Sequence, residues 1–320
     1  MLFSSIASTA RRYLMTYESF KQHLSDNLKE FFPVGTQISI RAFPHNNQLT
    51  LDGLTILEPH KNISPTIYLN YYFQQYQNGS SFLAIQQQIL RYYHHHCPID
   101  SIDTSFFTCF DQVRPRVAYK LIHFEKNREL LNEIPHFPYL NLAIVFYCLV
   151  SKPPYENASI LIYNHHLDFW KISKNALLQI ACENTPLLLP WCCNSLAELL
   201  LPMLDCIPSS EAIPSKETLE ESSVPMYVLS NRQQYFGGAC IRYPNVLKEI
   251  SQSLVQDKLY ILPSSIHEVI LVPASQADNP AELAKIVQEV NLTEVAPDEV
   301  LSDSIYLYRQ DIDQISLIHS

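Results

Sequence analysis

Glycine is scarce in this chain. Five occur among 320 residues, and Gly237-Gly238 is the one adjacent pair. Loops that cradle phosphate need several glycines at fixed spacing so that backbone N–H groups can close on the ligand, and neither G-x-G-x-x-G nor G-x-x-x-x-G-K is present. That excludes P-loop and dinucleotide-fold chemistry. Basic residues are also in deficit: 22 Lys and Arg face 32 Asp and Glu, a formal net charge of -10. With no general attraction to phosphate backbones or anionic lipid, no nucleic acid and no membrane is expected as a partner. Long apolar runs are missing too. The longest, Leu142 to Val150, falls well short of the roughly 18 residues of a membrane-spanning helix and suits a buried strand.

The eight cysteines form no C-x-x-C spacing and sit mostly inside apolar runs. That is the pattern of free thiols in a reducing cytoplasm, against a disulfide framework or zinc knuckle. What remains is a globular composition, 47% hydrophobic and 17% charged. At about 100 to 200 residues per domain, the length suits one large or two modest domains.

Residues 1–14 place their arginines after an apolar stretch, the reverse of a secretory signal, and read as a disordered extension ahead of Met15. Phe20, Leu24, Leu28 and Phe31 then recur at helical spacing up to Pro33. Gln37 to Phe43 and Leu49 to Leu57 alternate like strands around a turn at Asn46-Asn47, and Ser64 to Leu69 is a further short strand. Tyr71 to Tyr76 looks helical, closed by Asn78-Gly79, and Ser80 is the expected cap of a helix carrying Phe82, Ile85, Ile89 and Tyr93. Arg116 to Phe124 and Leu140 to Val150 read as paired strands, continued by Ser159 to Tyr163. Ser173 caps a helix through Cys182, and Ser195 to Glu198 is a capping box for another, cut short by Pro202.

Ile207 to Pro225 is rich in Ser, Glu and Pro, and residues 207–225 are the expected acidic linker between an N-terminal α+β region, 15–206, and a C-terminal lobe, 226–320. In that lobe Met226 to Ser230 and Gly238 to Tyr243 read as strands, and Pro244 begins a helix. Asp257 to Pro273 is a hairpin turning at Pro263-Ser264-Ser265. Asn279, Pro280 and Glu282 start a helix lined by Leu283, Ile286, Val287 and Val290, and Ser304 to Tyr308 closes the lobe. The expected fold class is α+β: two lobes with mainly antiparallel sheets and helices packed on one face, the C-terminal lobe running β-β-α-β-β-α-β.

Pro65-Thr-Ile-Tyr-Leu69, Leu142-Ala-Ile-Val-Phe-Tyr147, Glu183-Asn-Thr-Pro186, Gly238-Ala-Cys-Ile-Arg-Tyr-Pro244, Leu262-Pro-Ser-Ser-Ile-His-Glu-Val269 and Val290-Asn-Leu-Thr-Glu-Val295 resemble the bacterial family called domain of unknown function 5688, over nearly everything from Met15 onward. More loosely, the order of elements is similar to domain of unknown function 1444. The resemblance implies an intracellular bacterial protein and transfers no chemistry.

Candidate chemistry is sparse. His94-His95-His96 point about 100° apart around a helix and cannot converge on one ion as i and i+4 ligands do, so the favourable helix C-terminus explains them better. His165, His166 and Asp168 need a third ligand from elsewhere to hold a metal; a polar strand end explains them equally. Cys240, His267 and Asn291 follow the order of a thiol hydrolase's nucleophile, base and orienter, yet Cys240 sits within an apolar strand pattern where a small buried side chain is the norm. The turn Ser264, Ser265, His267 and Glu268 carries more functional groups than a hairpin needs, and Arg242, Asn291, Thr293 and Glu294 are expected to flank it as one binding surface. Against that, either serine can serve its own turn. Tyr68, Tyr71, Tyr72, Tyr76, Tyr92 and Tyr93 supply contact area suited to an interface or to aromatic packing.

The expected function is therefore a non-catalytic, cytoplasmic binding or interaction protein, regulatory in role, with an unidentified protein as partner and with no metal, cofactor or catalytic residues. Two alternatives stand beside it: a hydrolase using Cys240 or Ser265 with His267, and a small-molecule sensor.

Overall fold

The computed structural model describes residues 15–97, 105–150, 159–204, 224–263, 265–277 and 279–319. The expected extension 1–14 and nearly all of the expected linker 207–225 lie outside the described residues. The described chain divides into two compact units, the first within Met1–Pro44 and Thr50–Asp103, the second His45–Leu49 with Thr104–Ser320. The architecture is α+β with antiparallel sheets.

In the first unit, Thr16 caps the helix Tyr17–Leu28 by accepting from the Ser19 N–H. Its i, i+4, i+8 stripe of Phe20, Leu24 and Leu28 is fully buried. These side chains face a small sheet, β1 (Gln37–Pro44), β2 (Thr50–Leu57) and β3 (Thr66–Tyr68), and the helices Leu69–Gln77 and Phe82–His96. The cap of the last helix is Ser81, one residue beyond the expected Ser80, because its hydroxyl is the one that meets the Ala84 N–H.

The second unit holds two sheets. The first has the order β4-β6-β5, with β7 also on β6: β4 is Val117–His123, β5 His136–Tyr139, β6 Leu142–Leu149 and β7 Ser159–Leu161. Every residue of β6 is buried, as its unbroken apolar run requires. β4 is left with an open edge, and the helix Lys174–Leu188 closes it. Asn184 donates to the carbonyls of Arg114 and Val117, and the Thr185 hydroxyl accepts from the Tyr119 N–H at 3.0 Å while donating to the Ala181 carbonyl. The Asn-Thr pair of the Glu183-Asn-Thr-Pro186 motif thus satisfies outward-facing backbone groups that an edge strand otherwise exposes. It also explains why the helix continues past Cys182, where sequence reading ended it, to Leu188 with Pro186 inside.

The second sheet has six strands in the order β13-β12-β10-β11-β9-β8: β8 Trp191–Ser195, β9 Tyr227–Asn231, β10 Lys258–Leu262, β11 Val269–Pro273, β12 Ile305–Arg309 and β13 Gln314–His319. β8 and β9 pair from Trp191↔Asn231 to Ser195↔Tyr227, so strands on either side of the expected linker share one sheet. Alternation along β10 sends Leu259 and Ile261 to the large core that also holds Val246, Leu247 and Ile250 of the helix Val246–Ser253. Leu262 and Val272 meet Leu283 and Val287 of the helix Pro280–Thr293. Ile286, expected on that inner face, is exposed because it lies to one side of the buried stripe of Leu283, Val287 and Asn291.

One expected strand is absent. Gly237–Arg242 forms 3-10 turns instead, and Cys240 lies buried within them. The cause is the close backbone approach of its two glycines, described below. Among the described residues no helix is long and apolar enough to cross a membrane.

Thr185→Val keeps the shape of the side chain but leaves the buried Tyr119 N–H without an acceptor. Urea unfolding should show a loss of about 1–3 kcal/mol, whereas the same change at exposed Thr293 should cost under about 0.5 kcal/mol.

Candidate functional site: the corner around Phe236

The site forms where two connections of the six-stranded sheet meet. β9 ends at Asn231, whose side-chain oxygen accepts from the N–H groups of Gln233 and Tyr235 while its amide donates to the Tyr235 carbonyl. The turn so built puts Gln234 and Phe236 in the left-handed region, at φ 52° and 56°. For a residue as bulky as Phe that costs about 1–2 kcal/mol, so surrounding structure must impose it.

The next two residues supply that constraint. A Cβ on Gly237 would come within 2.5 Å of the His267 carbonyl oxygen and 2.8 Å of the Asn231 nitrogen; one on Gly238 would meet the Ser265 and Ile266 carbonyls at 3.0 Å. The Gly238 N–H donates to the Ile266 carbonyl at 3.0 Å, and the Ser230 hydroxyl donates to the His267 carbonyl at 2.7 Å. A third segment also grips the 263–267 connection. The Ile266 N–H donates to the Glu299 carbonyl, the Ser302 N–H to the Pro263 carbonyl, and Ser265 pairs with Val300.

Phe236 is thereby held among polar side chains. His267 stacks on it with ring centres 5.5 Å apart, Tyr147 meets it edge-on at 5.1 Å, and Tyr235 lies at 4.0 Å. The Lys120 Nζ stands 3.9 Å from its ring centre. His267 Nδ1 is 3.3 Å from the Phe236 nitrogen and 3.2 Å from the Gln234 oxygen: without a proton it accepts from the first, with one it donates to the second. Its Nε2 lies 3.6 Å from the Glu299 carboxylate.

Lys120 lies mid-strand on β4, opposite Val145 of β6. The residue is half-buried, yet its amine is desolvated enough to push its pKa down to about 8. Among the described residues it has no carboxylate and no hydrogen-bond partner. A cation over a phenyl face is worth about 0.5–2 kcal/mol and does not replace lost hydration.

The residues expected to form one binding surface divide. Ser264 lies outside the described residues. Ser265 is buried, and its hydroxyl accepts from the His267 N–H at 3.0 Å, a bond internal to the turn. His267 reaches the corner, with Glu268 exposed beside it. Arg242 instead donates to Cys182 Sγ at 3.0 Å and lies 5.3 Å from the Tyr119 ring centre. Asn291 is buried, donating to the Ser302 carbonyl and the Asp303 carboxylate. Burial alone would raise the Asp303 pKa, but the bonds from Asn291 and Lys126 hold it below the usual carboxylate range. Thr293 turns back to the Glu289 carbonyl, and the Glu294 N–H caps its own helix at Val290. Arg242 and Thr293 therefore spend their side chains elsewhere, whereas Asn291 is tied to the turn indirectly, through Ser302, whose N–H donates to the Pro263 carbonyl.

Cys240 is fully buried and its thiol is pushed up to about 12 by that burial. It makes no hydrogen bond to the His267 ring, whose Nδ1 faces the 234–236 backbone. His166 accepts from the Tyr163 N–H and stacks on Trp170, and burial pushes its pKa down. His96 pairs with its own helix through the Tyr92 carbonyl. Among the described residues, no group of three or more His, Cys, Asp or Glu is arranged to hold a metal ion.

Sequence reasoning missed Lys120, Tyr147, Phe236 and Glu299. The available signal for the first was a single lysine inside the apolar run Val117 to Ile122; the others become neighbours only through sheet pairing and the glycine junction.

The fold defines an α+β protein with a glycine-locked corner joining two connections of one sheet. The chain belongs to a family of unknown function, DUF5688, whose model matches residues 17–310. No curated protein and no solved structure shows significant similarity to it.

The Lys120 amine has a folded pKa below its ordinary 10.5, so between about pH 8 and 10.5 the unfolded chain binds more protons and stability rises with pH. Below that window the cost of the buried charge is at its full value. Lys120→Met should therefore stabilise the protein by about 1–3 kcal/mol near neutral pH, with the gain vanishing towards pH 10.5. Denaturant titrations across pH check both sign and window.

Proposed function

We propose that this is a non-catalytic binding protein of the bacterial cytoplasm, regulatory in role, which holds a protein partner at the corner formed by His267, Glu268 and Lys120 around Phe236. The observation that carries this reading is the strained, over-determined Phe236, which arrays around one aromatic ring a histidine and a lysine that has no ion-pair partner among the described residues. Strain of this kind persists where surrounding structure imposes it, and it concentrates at functional surfaces. An exposed acid, Glu268, lies next to His267 on a connection otherwise locked by backbone hydrogen bonds, so a partner would meet it with little ordering cost.

The compartment is supported by the cysteines: among the described residues all seven are free thiols, including adjacent Cys192 and Cys193. The hydrolase alternative draws no comparable support, because His267 donates to or accepts from backbone at Nδ1 and faces Glu299 at Nε2.

Native mass spectrometry of untagged protein from its own cells tests the reading. A partner-bound species is expected, removed by combined His267→Ala and Glu268→Ala and kept by Thr293→Ala. A single unbound mass, a small-molecule adduct in place of a protein, or a complex indifferent to the corner substitutions contradicts it.

A further inference from the structure

Two polar groups on one face of the β4–β6 pair have hydrogen-bonding capacity that no described residue uses. One is the Lys120 amine. The other is the Tyr147 hydroxyl, buried and without a partner. The register places Tyr147 opposite Ala118, two residues along β4 from Lys120, so both side chains leave the same face, and both border the Phe236 ring. A buried polar atom with nothing to bond is rare enough in a folded protein to point to a missing partner. A lysine that keeps some solvent contact but lacks both a counter-ion and full hydration is a nucleophile at ordinary pH.

We propose that Lys120 is a covalent acceptor for a short acyl group delivered by an acyl phosphate, with the Tyr147 hydroxyl donating to the acyl carbonyl oxygen. The amine lone pair attacks the carbonyl carbon and a C–N bond forms. The carbon–oxygen bond to phosphate then breaks, inorganic phosphate leaves with the electron pair, and the displaced ammonium proton passes to solvent. The product is a neutral amide over Phe236, which ends the desolvation of a charge and gives the phenol an acceptor. This step stands on the β4–β6 geometry and does not depend on the binding role of the corner.

Acetyl phosphate is a suitable probe. Folded full-length protein is incubated with it at about pH 7.5 and acetylation at each lysine is followed by peptide mass spectrometry. Lys120 should react about tenfold or more faster than the exposed Lys248 and Lys285, an advantage that disappears in urea and shrinks above about pH 10, where ordinary lysines lose their protons as well. Tyr147→Phe keeps the ring against Phe236 and should slow Lys120 alone. Reaction at Lys120 no faster than at the exposed lysines overturns the proposal, and an unchanged Lys120 rate in Tyr147→Phe overturns the role given to the phenol.

Discussion

The backbone contact between Gly237-Gly238 and Ser265–His267 is the constraint from which the second unit's functional geometry follows. Two chain segments lie closer there than any side chain with a Cβ allows, and hydrogen bonds from Gly238 and Ser230 hold them in place. Because the glycines are pinned, Phe236 just before them is forced into a left-handed backbone, and its ring is delivered to the face of the β4–β6 sheet. The same contact fixes the path of Ile266 and His267, so the histidine ring stacks on the phenylalanine. The 3-10 turns of Gly237–Arg242 replace the strand that their alternation suggests, since a strand there would have no room beside the 265–267 backbone.

Around that junction the protein handles positive charge unusually. In a chain with a net charge of -10, Lys120 and Arg242 both sit against aromatic rings with no carboxylate among the described residues hydrogen-bonded to them. Arg242 finds Cys182 Sγ and the Tyr119 ring, and the guanidinium, weakly hydrated and always charged, tolerates this. Lys120, among the described residues, finds the Phe236 ring alone, and its compact ammonium does not tolerate this, so its proton is loosened. Packing alone would be served better by an apolar side chain at that position, which is why a role for the amine is the more economical account.

Much of the fold was legible from local pattern. The helix of Phe20, Leu24 and Leu28, the all-buried strand Leu142–Leu149, the Asn279 cap and the Lys258–Pro273 hairpin each follow from periodicity or from a capping residue. β5, β8 and β13 were not legible, being short pieces whose strand character comes from the neighbour they pair with. The candidate site was legible at one point, the turn at Ser265 and His267. Arg242 and Asn291 looked adjacent to it in sequence motifs, but their side chains are spent on Cys182 and on the Asp303 region. Lys120 and Tyr147 come from strands far upstream, and only sheet register brings them to Phe236.

The direct test of the glycine junction is the stability of Gly237→Ala, measured by equilibrium denaturation. The added methyl has backbone on two sides, the His267 carbonyl and the Asn231 nitrogen, which no rotamer change relieves. A loss of more than about 3 kcal/mol, or failure to fold, is what the junction requires. A change within about 0.5 kcal/mol, the range of an ordinary surface substitution, would mean that the two segments are free to separate and that Phe236 is not held by them.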